Sequence, residues 1–184
     1  MSYGFIKFFT SAAVAGCLSM SAYAGETDFH PGTIITDFGK IAAVDADMVI
    51  PKRAKFKVLF DTAKGAEAGK VNRTLNTAAR FLNMHAEAGV AEKNMKLAVV
   101  FHGKGSFDIT QDSYYGEKFE GAENTNAALV QALLDKGVRV ILCGQSAAYY
   151  DISNADLLPG VEMALSAMTA HALLQQQGYR LNPF

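Results

Sequence analysis

Three short apolar runs, separated by segments of helical periodicity, constrain what this chain can fold into more than any other feature. Residues 56–60 (broken by one Lys), 97–101 and 138–142 are continuous and β-prone, with no polar alternation. A strand that is apolar on both faces must be covered on both faces, as in a parallel sheet. Between the runs, residues 73–88 carry Leu75, Ala78, Ala79, Leu82 and Ala86 at helical spacing, with Asn72 placed as N-cap and Gly89 as C-cap. Residues 126–136 turn Leu129, Val130, Leu133 and Leu134 inward and stop at Gly137. Residues 161–177 read as a third helix, with Val161, Ala164, Leu165, Met168 and Ala172 on its inner face and Gly178 at its end. Residues 179–181 supply a short last strand. Residues 103–123, which hold Tyr114 and Tyr115, read as a polar loop. The strand–helix alternation predicts an α/β fold with a parallel sheet.

What precedes residue 55 reads differently. Lys7, the uncharged apolar stretch 8–20 and the small-x-small sequence Ala22-Tyr23-Ala24 form an export signal, with Gly25 the first mature residue. The apolar stretch is too short for a spanning helix of about 20 residues. A competing reading takes Val14-Ala15-Gly16-Cys17 as a lipobox, which would make Cys17 a lipidated N-terminus. Residues 25–54 form an irregular arm with turn signals at His30-Pro31-Gly32 and Asp37-Phe38-Gly39-Lys40. Removing 24 of the 184 residues leaves 160, with 16 basic side chains against 18 acidic ones. That balance carries no polyanion-binding signal, so no nucleic-acid partner is expected. One cysteine remains, Cys143, so an exported chain would have no internal disulfide framework.

The chemistry expected of such a sheet lies outside the carboxyl ends of its strands. Asp61, His102 and Cys143 come just past the three apolar runs, so parallel strands would bring them to one rim. Cys143 is followed by Gly144-Gln145-Ser146, with Ser146 a candidate cap for a helix starting at Ala147. A thiol at a helix N-terminus has a lowered pKa and reacts as the thiolate. The same residue is equally compatible with a small buried strand end. His102 is either a proton carrier for that thiol or a loop residue, and Asp61 either an orienting carboxylate or a turn former. His85 and His171 read as packed or rim residues. The histidines and cysteine have no metal-ligand spacing, so no metal site is expected. Residues 65–71 (GAEAGKV) and 102–106 (HGKGS) fail the phosphate-loop pattern, and no GxGxxG or GxSxG occurs. No cofactor is expected.

Several motifs in order resemble a known family. They are Val99-Val100-Phe101-His102-Gly103, Asn124-Thr125-Asn126, residues 140–146 (VILCGQS), Leu158-Pro159-Gly160-Val161, Leu165-Ser166-Ala167-Met168 and residues 174–179 (LQQQGY). Over residues 55–184 the chain resembles the DsrE/DsrF-like (YchN-like) family, and most closely its exported branch. The resemblance implies a three-layer α/β/α sandwich with a mainly parallel sheet. It also implies a homo-oligomer, a trimer or hexamer. In the family's sulfur-relay subunits a cysteine beside the sheet carries sulfur as a persulfide, and Cys143 stands in the matching context. Those subunits serve cytoplasmic chemistry, whereas this chain reads as periplasmic.

Two functions follow. In the first, Cys143 accepts sulfane sulfur from a small sulfur species, assisted by His102 and Asp61, with Gly144, Gln145, Ser146, Asn124 and Tyr149 lining the ligand site. In the second, the protein is a non-enzymatic oligomeric binder whose rim pocket is lined by Tyr114, Tyr115, Tyr149 and Tyr150, with Cys143 merely packed.

Overall fold

The computed structural model describes Met1, Gly25 and residues 28–183; the expected signal segment and lipobox lie outside the described residues. The three apolar runs form β1 (Phe56–Thr62), β2 (Met95–Phe101) and β3 (Arg139–Cys143). Two further strands complete the sheet, β4 (Glu162–Ala164) and β5 (Arg180–Asn182). The order is β4-β3-β2-β1-β5, and every pairing is parallel. The chain steps outward from β1 to β4, then returns to lay β5 beside β1. The connections diverge at β1, which makes the β1/β5 border the topological switch point.

The helices are α1 (Arg73–Glu87), α2 (Asp112–Lys118), α3 (Ala127–Asp135), α4 (Gly144–Tyr150) and α5 (Ala167–Gln176). Asn72 caps α1 as expected, its side chain accepting from the amides of Thr74 and Leu75. The larger apolar cluster joins Val58, Phe60, Leu97, Val99, Phe101, Val140 and Leu142 to residues of α1, α2, α3 and α4. The opposite face carries Leu59, Ala98, Val100 and Ile141, covered by Ala170 and Leu174 of α5 and by Tyr179. The result is a three-layer α/β/α sandwich whose second helical layer is a single helix. Successive strand residues alternate faces, so Asp61, His102 and Cys143 continue the Leu59, Val100 and Ile141 rows on the α5 face.

Three expectations are corrected. The expected helix over 161–177 is a three-residue strand, a turn and then α5. Leu165 and Met168 are 74% and 79% exposed instead of inward, and Ala172 is exposed. The reason is the cap: Ser166 accepts from the amide of Thr169, so the helix starts at Ala167, and Ala170 and Leu174 take the inner face. The expected polar loop 103–123 is a 3-10 segment (Gly103–Ile109) followed by α2. Tyr114 and Tyr115 are buried in it, with the Tyr114 hydroxyl donating to the Tyr150 carbonyl at 2.5 Å.

The arm is held chiefly by one side chain of α1, with single further hydrogen bonds from the Gly39 amide to Asn76 Oδ1 and from Arg80 Nε to the Lys40 carbonyl. Asn83, buried in α1, accepts from the amides of Ile34 and Ile35 at 3.2 and 2.9 Å. Its amide group donates to the carbonyls of Ile35, Phe38 and Gly39 at 2.8, 3.0 and 3.1 Å. Gly39, at φ 65, lies so close to α1 that a Cβ there would fall 2.3 Å from the Arg80 nitrogen. Ile35 and Ile41 are buried, so the arm is packed structure on the outside of α1.

Candidate functional site

Cys143 ends β3 and is itself the N-cap residue of α4; the expected cap, Ser146, lies three residues into the helix. The helix can begin so abruptly because residue 144 is glycine. A Cβ there would meet the Ala164 carbonyl oxygen at 2.5 Å and that of Leu165 at 3.1 Å. This close approach brings the turn before α5 against the thiol. The backbone N–H groups of Ser146, Ala167 and Gln145 and the hydroxyl of Ser146 lie near enough to Sγ to favour its charged form. Burial pushes the thiol pKa up, but these donors outweigh it and hold the pKa below its ordinary value. The Ser146 hydroxyl also accepts from the Gly103 amide at 3.0 Å, which ties the ends of β2 and β3 together.

Reaction as a rim thiolate calls for an accessible sulfur, but Cys143 is 6% exposed, as a buried strand end would be. The Gly144 contact and the start of α5 close over it. It belongs to neither apolar cluster, however, and its neighbours at Sγ are polar. It is a free thiol just beneath the rim.

The β2–β3 register runs Phe101 to Leu142, so the next residues, His102 and Cys143, are adjacent on the same face. Neighbouring strands stand about 4.8 Å apart. The His102 ring contacts Asp61 Oδ2 through Nε2 at 3.0 Å. Asp61 Oδ1 contacts His171 Nε2 at 2.8 Å. A carboxylate only accepts, so both rings donate to Asp61 from Nε2. The structure thus brings Asp61, His102 and Cys143 to one face and adds His171, which the sequence reading left as a packed or rim residue. The signal that finds it is the Ser166 cap. A helix starting at Ala167 puts Ala167, Ala170, His171 and Leu174 on one stripe.

The other expected ligand residues divide. Gly144, Gln145 and Ser146 surround the thiol; Gln145 Nε2 also donates to the Leu165 carbonyl at 3.2 Å. Asn124 is 4% exposed and is bonded to the carbonyls of Asp108 and Thr110 and to Asn126. It fixes the loop before α3. Tyr149 is 81% exposed on α4. With Tyr114 and Tyr115 buried, the four expected tyrosines do not line one pocket. His85 is packed as expected, stacked on Phe81 at 3.8 Å with Nδ1 on the Phe81 carbonyl; burial lowers its pKa, partly offset by that carbonyl.

A cavity of about 740 Å³ opens beside Asp61 at the switch point, lined by Thr62, Lys64, Lys70, Arg73 and Pro183 among others. A second cavity, of about 480 Å³ over Phe60, Arg80, Phe81 and Met84, lies on the other face, away from the thiol. Among the described residues, no group of three or more His, Cys, Asp or Glu side chains is placed to hold a metal ion, and no helix is long and apolar enough to cross a membrane.

A parallel sheet with helices on both faces, bearing Asp61, His102 and Cys143 at the carboxyl ends of its strands, places the protein among the three-layer α/β/α proteins. The chain belongs to the DsrE/DsrF-like family, whose model matches residues 54–183. Two solved structures share the fold. One is a protein of unknown function from Methanobacterium thermoautotrophicum, at 20% identity and TM-score 0.51, covering 71% of this chain and 100% of that one. The other is the ychN protein from E. coli, at 19% identity and TM-score 0.50, covering 70% of this chain and 99% of that one. No curated protein matches.

Proposed function

We propose that the protein is an exported member of this family that carries sulfane sulfur on Cys143 as a persulfide. The observation that supports this reading best is the place of Cys143, at the carboxyl end of β3 and the start of α4, level with His102 and its Asp61 partner, where nearby N–H groups and the Ser146 hydroxyl hold its pKa down. An inert core cysteine has no use for such an arrangement; a thiolate, and the anionic persulfide that follows it, does. In the transfer, the Cys143 thiolate attacks the outer sulfur of a donor R–S–SH. The donor S–S bond breaks and a new S–S bond forms on Cys143. R–S⁻ departs and takes up a proton, which His102, held by Asp61, supplies. One thiol and one persulfide stand on each side, so nothing is oxidised and no cofactor enters.

A homo-oligomeric state, a trimer or hexamer, and release of residues 1–24 in the periplasm belong to the same proposal. Mass spectrometry of the mature protein after polysulfide or thiosulfate treatment should show an adduct of about 32 Da, one sulfur atom, on Cys143. A thiol that stays unmodified, with ordinary reactivity towards alkylating reagents, refutes the reading.

A further inference from the structure

We propose that His171 is the fourth member of this site, a positioning residue that pins Asp61 and through it the ring of His102, so that the site serves donors whose leaving group is a basic alkyl thiolate. The inference rests on the thiol chemistry proposed above and adds to it a residue and a donor class.

Helix α5 does two things on one stripe. At its start, the Ala167 amide reaches Cys143 Sγ. Four residues on, His171 reaches Asp61 Oδ1 at 2.8 Å. One helical turn, about 6 Å along the axis, separates the two contacts. The other carboxylate oxygen, Oδ2, is left for His102 at 3.0 Å. A lone Asp–His contact fixes the carboxylate at one point and lets it rotate about its side-chain torsions. A second donor on the opposite oxygen removes that freedom. The three side chains are half-buried, at 29% exposed for Asp61, 34% for His102 and 22% for His171, so the hydrogen bonds add to packing in fixing the carboxylate. Within the described residues His171 is the other side chain bonded to this carboxylate.

The donor class follows from what a held imidazole can contribute. The thiol needs little help to ionise, because its donors already lower its pKa. What remains for His102 is the departing sulfur. A leaving anion that is stable in water gains nothing from a proton carrier. An alkyl thiolate, as released from an alkyl persulfide or disulfide, is a poorer leaving group, and a proton delivered as it departs speeds its loss. In the exchange used as a test, Cys143–S⁻ attacks one sulfur of R–S–S–R. The mixed disulfide Cys143–S–S–R forms, and R–S⁻ leaves and takes the proton from the His102 ring. That ring is reprotonated from solvent.

The test compares two disulfides on the mature full-length protein: cystamine, with an alkyl leaving thiolate, and an aryl disulfide, whose leaving thiolate is acidic and needs no proton. His171→Leu fills the space without a donor, whereas His171→Gln keeps an N–H for Asp61. His171→Leu should slow exchange with cystamine about tenfold and change the aryl reaction less than twofold, and His171→Gln should recover most of the cystamine rate. Equal slowing of both reactions by His171→Leu, no slowing of either, or failure of His171→Gln to recover the rate overturns the proposal. If His171→Leu does not fold, His171→Ala takes its place, with the same expected and overturning outcomes. Exchange needs no sulfane sulfur, so a protein that exchanges as expected but takes up no sulfur refutes the persulfide reading and leaves this one standing.

Discussion

Ser146→Ala tests the electrostatic account of Cys143 most directly, because the hydroxyl touches both sides of the argument. It donates to Sγ and accepts from the Gly103 amide at 3.0 Å. A hydrogen bond to a charged group contributes about 1.5–3 kcal/mol. Three amides remain at Sγ in the variant, so the lower end applies, about 1.5 kcal/mol, or roughly a tenfold loss of thiolate at a pH where the thiol is mostly protonated. The remaining thiolate is more basic and therefore more nucleophilic. With a Brønsted slope of about 0.4–0.5, the loss in observed rate shrinks to about three- to fivefold. At alkaline pH, where both proteins are fully ionised, the order reverses and the variant reacts about threefold faster. The assay is the rate of iodoacetamide alkylation against pH, read by intact mass, with far-UV circular dichroism confirming the fold. Two rate profiles that cross are the expected result. Profiles that coincide, or a variant slower at every pH, would show that the hydroxyl does not stabilise the thiolate and would undo the reasoning.

Three further outcomes are expected. Asn83→Ala strips five hydrogen bonds from the arm, and each buried backbone group left unpaired costs about 1–3 kcal/mol. Amides of residues 34–39 should lose hydrogen-exchange protection while those of β2 keep theirs; protection retained in the arm would contradict the clamp. The Asp108 pKa is raised by burial, offset in part by Asn72 and the Ala66 amide, and its Oδ1 has no partner. With the folded value raised, its contribution is present at low pH and fades as pH rises through the ordinary Asp range to the folded value. Asp108→Asn should therefore flatten the denaturant midpoint between pH 4 and 7, and an unchanged slope would refute this. For Cys143 the folded value is lowered, so its contribution is complete above the ordinary thiol value of 9.0 and is lost as pH falls through the folded value. Wild type should gain stability over Cys143→Ser as pH rises across that window, measured as a widening gap in urea midpoint.

The sheet and its main helices were legible because periodicity and caps agree locally. The runs now in β1, β2 and β3 are apolar on both faces, and Asn72 and Gly137 mark the ends of long amphipathic segments. β4 was not legible. Its three residues, Glu162–Ala164, fall inside a window that helical spacing also fits, and only pairing with β3 makes them a strand. The error shifted the phase of α5, and with the phase went His171. The burial of Tyr114 and Tyr115 is likewise tertiary: it depends on a loop fixed by Asn124, Asn126 and Asp108, whose polar side chains look solvated in sequence but are paired in the fold. The meeting of Asp61, His102 and Cys143 was readable because strand parity alone decides it.

One face of the sheet is roofed by four helices and the other by α5 alone, so the cover over Cys143 is the thinner of the two layers. Ten residues held mainly by Ala170, Leu174 and the His171–Asp61 contact can lift away while the larger cluster stays intact. Such a partial opening needs far less free energy than global unfolding. Access to Cys143 from that side is therefore controlled by one short helix.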